Sequence, residues 1–232
     1  MADVKRYQGS AEHVRERFAE VEARVAAAAQ AAGRAAAEVE ILVATKYVDV
    51  DGLAVLREAG VRLIGENRAQ DLVAKHELYG DAFDYHFIGH LQSRKTRLVL
   101  PVVSLIHSVA SLSVVQEIES RAANATDVLL EVNIGGEVSK SGVPLEHVDA
   151  FLEEASACRK ARFTGLMCMP PLFDDAEQAR PFFVRARELA QRLSTRWSGT
   201  YTFDQLSMGT SADYQVAVQE GATIVRVGSV LF

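Results

Sequence analysis

The sequence is poor in cysteine and proline, and it has no long apolar run. It contains two cysteines, Cys158 and Cys168, and five prolines among 232 residues. Two cysteines without CxxC spacing are too few for a disulfide framework, so we expect free thiols and a reducing, cytoplasmic setting. No apolar stretch reaches the roughly 18 residues of a membrane-spanning helix, and the polar start MADVKRYQGS indicates no signal peptide. We therefore expect no membrane association.

Basic charge is also scarce. The formal net charge is −6, and no run of lysine or arginine marks one face, so we expect no nucleic-acid partner. We assign no metal site. The chain is long enough to bury a sizeable core, and no linker rich in proline, glycine or serine divides it. We therefore predict a single domain over residues 1–232.

Short apolar segments alternate with helical ones after an alanine-rich helix predicted over about residues 10–32. The apolar segments are continuous rather than alternating, which is typical of parallel strands buried on both faces. Eight such strands are predicted: VEILVAT, VRLIGE, DYHFIGH, SLIHSV, DVLLEVNI, FTGLMCM, FDQLSM and TIVRVG. Eight strand–helix units in a chain of this length favour an α/β fold, the (β/α)₈ TIM barrel, with the N-terminal helix as an extra element that closes the outer ring. An open doubly wound sheet is the alternative.

A barrel of this kind carries its active site at the carboxyl ends of the strands. Polar side chains are frequent among the residues at these ends, which are Lys46, Glu66, Asn67, Gly89, His90, His107, Ser108, Asn133, Met167, Cys168, Met169, Ser207, Met208, Gly209, Arg226, Gly228 and Ser229. The lysine follows the first strand, where its amine would lie beside the other seven strand ends. Lys46 is therefore the leading candidate for a reactive group.

The segments SMGTSAD and RVGS, which follow the last two strands, resemble a phosphate site. Such loops often bind phosphate in these barrels, and hydroxyls are offered by Ser207, Thr210 and Ser211. Gly209 permits close backbone approach, the helix that follows adds free N–H groups, and the second loop adds Gly228 and Ser229. The simpler alternative is a helix start capped by Thr210 or Ser211.

A lysine beside a phosphate site suggests a phosphorylated aldehyde or ketone as ligand. A buried lysine has a lowered pKa and forms a Schiff base with such carbonyls. Two classes fit: a Schiff-base aldolase acting on a phosphorylated sugar, and a protein that binds pyridoxal 5′-phosphate (PLP). Arg226 favours the second class, because the PLP ring nitrogen takes either an acid or an arginine as its partner. A salt bridge inside the barrel is the alternative role of this arginine.

Six motifs in order identify a resemblance that covers nearly the whole chain after the first helix. They are ILVATK, IGENRAQ, HFIGHLQSRK, LLEVNIGGEVSKSG, GLMCMPP and LSMGTSADYQVAVQEGATIVRVGSVLF. Together they resemble the pyridoxal phosphate homeostasis protein family, also called the proline synthase co-transcribed homologs. The resemblance implies a barrel of the alanine racemase N-terminal type, PLP as cofactor and a role in vitamin B6 homeostasis without robust catalysis.

The resemblance also implies roles for individual residues. It places the PLP Schiff base on Lys46, the ring nitrogen beside Arg226, and Asn67 and Met208 on either side of the cofactor. The phosphate falls on the loops that contain Ser207, Met208, Gly209, Ser211, Gly228 and Ser229. The chain departs from the family pattern at Thr210 and Arg94, and it ends at Phe232 without the usual following glycine.

Three functions stay open at this point. A PLP-binding homeostasis protein is favoured over a PLP-dependent amino-acid racemase and over the aldolase. Two points argue against the racemase. A two-base racemase needs a second base, which related racemases take from an added β-domain. An arginine beside the ring nitrogen also disfavours its protonation, which weakens the ring as an electron sink. Strand alternation predicts that Tyr47 points away from the side that Lys46 faces, which leaves His90 as the candidate base. We expect a monomer whose partners are PLP and apo-enzymes that receive it.

Overall fold

Eight parallel strands form a closed barrel in the computed structural model, which describes residues 9–137 and 141–232. The described residues form these eight and one short further strand, β6, in the order β1 (Glu40–Ala44), β2 (Leu63–Glu66), β3 (Asp84–Phe87), β4 (Leu105–Val109), β5 (Thr126–Asn133), β6 (Val143–Pro144), β7 (Ala161–Met167), β8 (Gln205–Thr210) and β9 (Ile224–Val227). Their order is β4-β3-β2-β1-β9-β8-β7-β5, and pairing of β4 with β5 closes the ring. The two-residue strand β6 pairs with β5 outside the ring. The predicted barrel is confirmed, and the open sheet is excluded by the β4–β5 pairing.

Helices surround the barrel. They are α1 (Ala11–Ala31), α2 (Gly52–Glu58), α3 (Ala69–Tyr79), α4 (Thr96–Val99), α5 (Leu112–Arg121), α6 (Val148–Ala155), α7 (Arg180–Arg196) and α8 (Tyr214–Gln219). Helix α7 begins at Arg180, so Pro181 lies in its first turn. The proline therefore marks a late helix start and not a kink, because its missing N–H has no helical partner there in any case.

The first helix completes the outer ring, as the sequence predicted. Helix α1 contacts both α8 and α2, and it therefore fills the gap between the last and first barrel helices. The Arg34 side chain reinforces this contact after the helix ends. Its Nη1 atom donates to the carbonyl oxygens of Val218 and Ala222, each at 2.9 Å, and so caps the carboxyl end of α8.

Two hydrophobic clusters fill the molecule. The larger one lies between the strands and the helices, and the smaller one lies inside the barrel and consists of Leu42, Leu105, Leu129, Met167 and Ile224. Side chains alternate along a strand, so Val43 and Val225 belong to the outer cluster while their neighbours Leu42 and Ile224 point inward. This alternation decides which residues can reach the barrel mouth.

Both cysteines are free thiols, as predicted. Cys168 is buried, and burial raises the pKa of its thiol to about 12. Across the described ranges, no helix has the length and apolar character that crossing a membrane demands. The single domain over residues 1–232 and the cytoplasmic setting stay predictions.

Candidate functional site

Lys46 lies just beyond the first strand, in a turn. Strand β1 ends at Ala44, and the turn contains Lys46 and Tyr47, which are both exposed. The Lys46 Nζ atom lies 4.7 Å from the centroid of the Tyr47 ring. The prediction that Tyr47 points away from Lys46 is therefore wrong, because strand alternation does not extend into the turn. The amine is open to solvent rather than buried as we expected.

A buried ion pair holds the residue before this lysine. The Lys75 Nζ atom donates to the carbonyl oxygen of Thr45 at 2.8 Å and pairs with the Glu66 carboxylate. The Thr45 hydroxyl donates to the same carboxylate at 2.5 Å. All three residues are at most 3% exposed. This cluster of Thr45, Glu66 and Lys75 fixes the end of β1 and thus the start of the Lys46 turn.

The same carboxylate positions Asn67. Its second oxygen accepts the backbone N–H of Asn67 at 3.1 Å, and a Cβ atom at Gly89 would lie 2.1 Å from the Asn67 carbonyl oxygen. Glycine is therefore required where the loop after β3 crosses Asn67. The Asn67 Oδ1 atom is buried and has no hydrogen-bond partner among the described residues. His90, in contrast, is exposed.

Arg226 is buried inside the barrel, and its guanidinium is held by strands β7 and β8. Its Nη1 atom donates to the Ser207 carbonyl oxygen at 2.8 Å and to the Ser207 hydroxyl, and Nη2 donates to the Cys168 carbonyl oxygen at 3.1 Å. Burial lowers the pKa of Arg226, whereas Cys168, Asp213 and Glu131 raise it. Among the described residues no carboxylate forms an ion pair with Arg226, so the salt-bridge alternative is not supported.

Ser207 and Met208 have positions that differ from those expected of phosphate ligands. The Ser207 hydroxyl is bound to Arg226 and, at 2.8 Å, to the Nδ1 atom of His107. Its place is therefore inside the barrel, beside the arginine. The Met208 side chain is fully buried in the outer core, so we expect any contact of this residue with a ligand to involve its backbone.

The loop after β8 turns sharply at Gly209. This glycine has a φ of +89°, and a Cβ atom here would lie 2.5 Å from the Cβ of Ala217 in α8. The loop is closed by Asp213, whose Oδ1 atom accepts the N–H and the hydroxyl of Thr210 at 2.6 and 3.0 Å. Asp213 is also the N-cap residue of α8. The alternative of a helix capped by Thr210 or Ser211 is therefore wrong.

The two proposed phosphate loops meet at Ser211. Its Oγ atom accepts the backbone N–H of Gly228 at 3.0 Å, so the loops after β8 and β9 are joined there. Ser229 follows in the second loop and is exposed. The hydroxyl proton of Ser211 stays available to a ligand, because the bond to Gly228 uses only a lone pair of its oxygen.

Two buried histidines lie in the barrel interior beside Ser207. The His107 Nε2 atom is 3.0 Å from the Nδ1 atom of His86. Burial lowers the pKa of His86 to about 4, and burial together with His86 and Arg226 lowers the pKa of His107 well below its usual value. His107 was noted from the sequence at a strand end, whereas His86, which lies within β3, was missed. Alternation along β3 is the signal that could have found it.

The carboxyl end of the barrel also carries buried polar atoms without partners among the described residues. They are the Oδ1 atoms of Asn67 and Asn133, Oε2 of Glu131 and the hydroxyl of Tyr214. These residues belong to the ends of β2 and β5 and to the start of α8. Buried polar atoms normally find a partner, so their arrangement fits a polar ligand that supplies hydrogen bonds. The Lys46 amine, the Arg226 guanidinium and the Ser211 hydroxyl belong to the same end of the barrel, and these three groups suit a phosphorylated carbonyl compound with a ring nitrogen.

Sequence comparison gives matches along nearly the entire chain. The family model described as alanine racemase, N-terminal domain, matches residues 17–232. The pyridoxal phosphate homeostasis protein of Aquifex aeolicus is 37% identical over 221 residues, which cover 94% of this chain and 96% of that protein. The protein of the same name from Pseudomonas aeruginosa is 38% identical over 223 residues, with 94% of each chain covered.

Solved structures share the fold. A protein of unknown function from Bifidobacterium adolescentis has a TM-score of 0.85 at 36% identity, and 96% of this chain and 95% of that chain are covered. PipY of Synechococcus elongatus, solved with PLP bound, has a TM-score of 0.81 at 28% identity with coverage of 94% and 99%. Alanine racemase of Corynebacterium glutamicum has a TM-score of 0.69 at 11% identity, and the match covers 96% of this chain and 60% of that enzyme. The last likeness concerns the fold alone.

Proposed function

This chain belongs to the pyridoxal phosphate homeostasis proteins, a family with the alanine racemase N-terminal domain, and we propose that it binds PLP at the carboxyl end of its barrel. The observation that carries the proposal is the convergence of three parts: an exposed lysine after β1, a buried arginine on β9 and two loops joined at Ser211. Each part matches one chemical group of PLP, namely the aldehyde, the ring nitrogen and the phosphate.

Lys46 is the proposed covalent attachment point. A neutral lysine amine attacks an aldehyde carbon, and loss of water leaves a Schiff base. The cluster of Thr45, Glu66 and Lys75 supports this role, because it fixes the backbone immediately before Lys46. The exposed turn also supports it, since the amine needs no opening of the core to reach a carbonyl in the barrel mouth.

The phosphate is proposed to bind between the loops after β8 and β9. Ser211 has a hydroxyl proton to donate, and Gly209 and Ser229 belong to the same two loops. Gly228 already donates its N–H to Ser211, so its proposed part is to hold that hydroxyl in place. Asn67, with an unpaired buried oxygen, is proposed to contact the cofactor from the side of β2.

Arg226 is proposed to face the ring nitrogen. A guanidinium is a donor only and keeps its proton in proteins, so it can donate to a neutral ring nitrogen but cannot favour a protonated one. The ring then withdraws electrons poorly. We therefore propose that the protein carries PLP without robust catalysis of its own, which agrees with the homeostasis names of its relatives. We also propose that the protein is a cytoplasmic monomer that passes PLP to apo-enzymes.

Reduction of the loaded protein tests the attachment point. We expect an absorption band of a protein Schiff base after loading with PLP, and we expect borohydride to fix the pyridoxyl group on the peptide that contains Lys46. The Lys46→Arg variant should lose the label, whereas Lys95→Arg, which changes a lysine bonded to Gln70, should keep it. Label on another lysine would refute the assignment. Absence of PLP binding with retained binding of a phosphorylated sugar would favour the aldolase.

An assay of racemisation tests the lack of catalysis. L-Alanine, L-serine and L-glutamate are incubated with loaded protein, with Lys46→Ala protein and with free PLP, and the products are separated by chiral chromatography. We expect conversion no higher than with free PLP. Because Tyr47 contacts Lys46 and His90 is exposed at the mouth, the variants Tyr47→Phe and His90→Ala belong in the assay. Conversion well above both controls that either variant abolishes would favour the racemase.

A further inference from the structure

A row of hydrogen bonds crosses the barrel interior from Arg226 to His86. Arg226 Nη1 bonds to the Ser207 hydroxyl, Ser207 Oγ lies 2.8 Å from His107 Nδ1, and His107 Nε2 lies 3.0 Å from His86 Nδ1. The four side chains come from β9, β8, β4 and β3, and each residue is at most 6% exposed. None of the proposed contacts with PLP uses the two histidines.

The arginine determines the direction of every bond in this row. A guanidinium only donates, so the Ser207 oxygen accepts from Arg226 and its own proton goes to His107 Nδ1. A neutral His107 that accepts at Nδ1 carries its proton on Nε2, and this proton goes to His86 Nδ1. His86 therefore also carries its proton on Nε2, on the side where Asp84 Oδ2 lies 4.0 Å away.

The opposite direction leaves a donor without a partner. If His86 donated from Nδ1 and His107 donated to Ser207, the Ser207 oxygen would accept from both sides. Its hydroxyl proton would then have no acceptor, because the Ser207 hydroxyl bonds only to Arg226 and His107 among the described residues. A buried donor without an acceptor has lost its hydrogen bonds to water and gained none in exchange. The first direction is thus the favoured one as long as both imidazoles are neutral.

Burial keeps both imidazoles neutral, although the Asp84 carboxylate raises the pKa of His86. His107 faces His86 and Arg226, and the Asp84 carboxylate lies 4.0 Å from the Nε2 atom of His86. The groups that act on Arg226 are Cys168, Asp213 and Glu131. Burial is the largest cause of the low pKa of both histidines, so at neutral pH neither one adds a positive charge beside the arginine.

We propose that His86 and His107 are positioning residues that act as Nε2–H tautomers and hold the Ser207 hydroxyl, and through it the Arg226 guanidinium, in the orientation presented to the ring of PLP. This inference rests on the proposed function for its final step, whereas the tautomers follow from the chain alone. Protonation of His86 puts a donor on Nδ1 and forces the row into the opposite direction. In that direction the hydroxyl proton of Ser207 has no acceptor among the described residues.

The tautomers can be measured without any cofactor. Long-range ¹H–¹⁵N correlation spectra of the full chain distinguish Nε2–H from Nδ1–H imidazoles, and substitution of each histidine assigns the signals. We expect Nε2–H for both His86 and His107 at pH 7.5, with no titration of either down to pH 6. An Nδ1–H tautomer of His107, or its titration near pH 6.5, would overturn the inference even if PLP binds.

The consequence for binding is tested with His107→Leu and His107→Gln. A glutamine has one acceptor and one donor, as a neutral imidazole does, and should keep PLP binding close to that of the wild type. Leucine cannot accept from Ser207, so we expect PLP affinity to fall at least tenfold, together with a shifted absorption band of the bound cofactor. The matched control is His147→Leu, an exposed site outside the barrel, and it should bind as the wild type does.

The outcomes separate this inference from the proposed function. If the wild type does not bind PLP, the proposed function is refuted. The measured tautomers of His86 and His107 then still test the direction of the hydrogen bonds in the row. A folded His107→Leu protein that binds PLP with wild-type affinity and spectrum overturns the positioning role. If His107→Leu fails to fold, the glutamine variant decides: its PLP affinity should stay within threefold of the wild type, and a larger loss overturns the role.

Discussion

At the scale of single residues, Ser211 joins the two loops that are proposed to hold the phosphate. Its oxygen accepts the Gly228 N–H, and its proton is free to donate to an anion. Thr210, one position earlier, has both its N–H and its hydroxyl bound to Asp213. Neighbouring hydroxyls in the same motif therefore have different roles. Thr210 closes the loop, and the Ser211 hydroxyl is available as a donor to a ligand.

We expect the double substitution Ser211→Ala with Ser229→Ala to weaken PLP binding and to spare pyridoxal binding. Hydrogen bonds to a charged group contribute about 1.5–3 kcal/mol each, so the loss should amount to at least tenfold in Kd for PLP. Pyridoxal, which lacks the phosphate, should bind wild type and variant equally weakly. Absorbance titration with both compounds measures this.

The matched control is Ser156→Ala, because that hydroxyl donates to the Glu153 carbonyl at the end of α6, far along the chain from the two loops. It should leave both affinities unchanged. Equal retention of pyridoxal and PLP by the wild-type protein would show that the phosphate binds elsewhere.

Residue types and their order along the chain were predictable, but directions of side chains were not. Lys46 and Ser211 were proposed from their places after strands, and Arg226 from its place near the end of one, where a barrel gathers its polar groups. Ser207 and Met208 were assigned to the phosphate as a block, although alternation sends one into the barrel and the other into the outer core. The direction of the Tyr47 side chain was predicted wrongly, because strand alternation was applied beyond Ala44, the last residue of β1.

At the scale of elements, the ion pair between α3 and β2 connects the helix to two strand ends. Lys75 reaches from α3 to the Glu66 carboxylate and to the Thr45 carbonyl. Both partners are nearly inaccessible to solvent. The attraction between buried charges does little more than offset their loss of hydration. The main effect of the pair is therefore to fix the backbone at the start of the Lys46 turn, and its net contribution to stability is small.

We expect Lys75→Met to lower the free energy of unfolding by about 3–5 kcal/mol, because it leaves the Glu66 carboxylate buried without its cation. Adding Glu66→Gln should restore part of the loss, since the remaining amide is neutral. Urea unfolding at pH 7.5 measures all three proteins.

Arg17→Met is the control for the loss of a cation, because the pair of Arg17 with Glu20 is about half exposed on α1. Such surface pairs contribute up to about 1 kcal/mol. A Lys75→Met protein that is no less stable than Arg17→Met would contradict the buried pair.

Elements with a strong local pattern were predicted, and those defined by tertiary contact were missed. All eight barrel strands were found because continuous β-branched runs end in polar or glycine residues. The four-residue helix α4 and the two-residue strand β6 are too short to show a period. Lys75 was missed because a lysine within a predicted helix usually faces solvent. Ser111 occupies the N-cap of α5, but its hydroxyl bonds to Ser113 and not to the helix backbone.

At the scale of the whole molecule, the two histidines inside the barrel make stability depend on pH. In the folded protein the pKa of His86 is lowered to about 4 and that of His107 is lowered well below its usual value. In the unfolded chain both return to about 6.5. Between these values the unfolded state binds protons that the folded state does not bind.

The sign of the effect follows from this difference. When the unfolded state binds more protons, the free energy of unfolding decreases as the pH falls. The contribution of each histidine is therefore complete above about pH 7 and is lost as the pH falls through 6.5 toward 4. For His86 the loss at pH 5.5 is on the order of 1 kcal/mol, and His107 adds a loss of the same sign. Glu38 and Glu177, whose carboxyl pKa values are lowered, act in a more acidic range.

We expect the wild-type protein to lose more than about 1 kcal/mol of unfolding free energy between pH 7.5 and 5.5, because both buried imidazoles oppose protonation. The variant His86→Gln with His107→Gln keeps polar groups at both positions but cannot take up a proton there, so its loss over the same interval should be much smaller. Urea unfolding of both proteins at the two pH values gives the comparison, and the exposed pair His13→Gln with His147→Gln is the control that should follow the wild type. If the wild type and the barrel variant lose the same amount, the interior histidines are already protonated or accessible in the folded barrel, and the pH dependence arises elsewhere in the molecule.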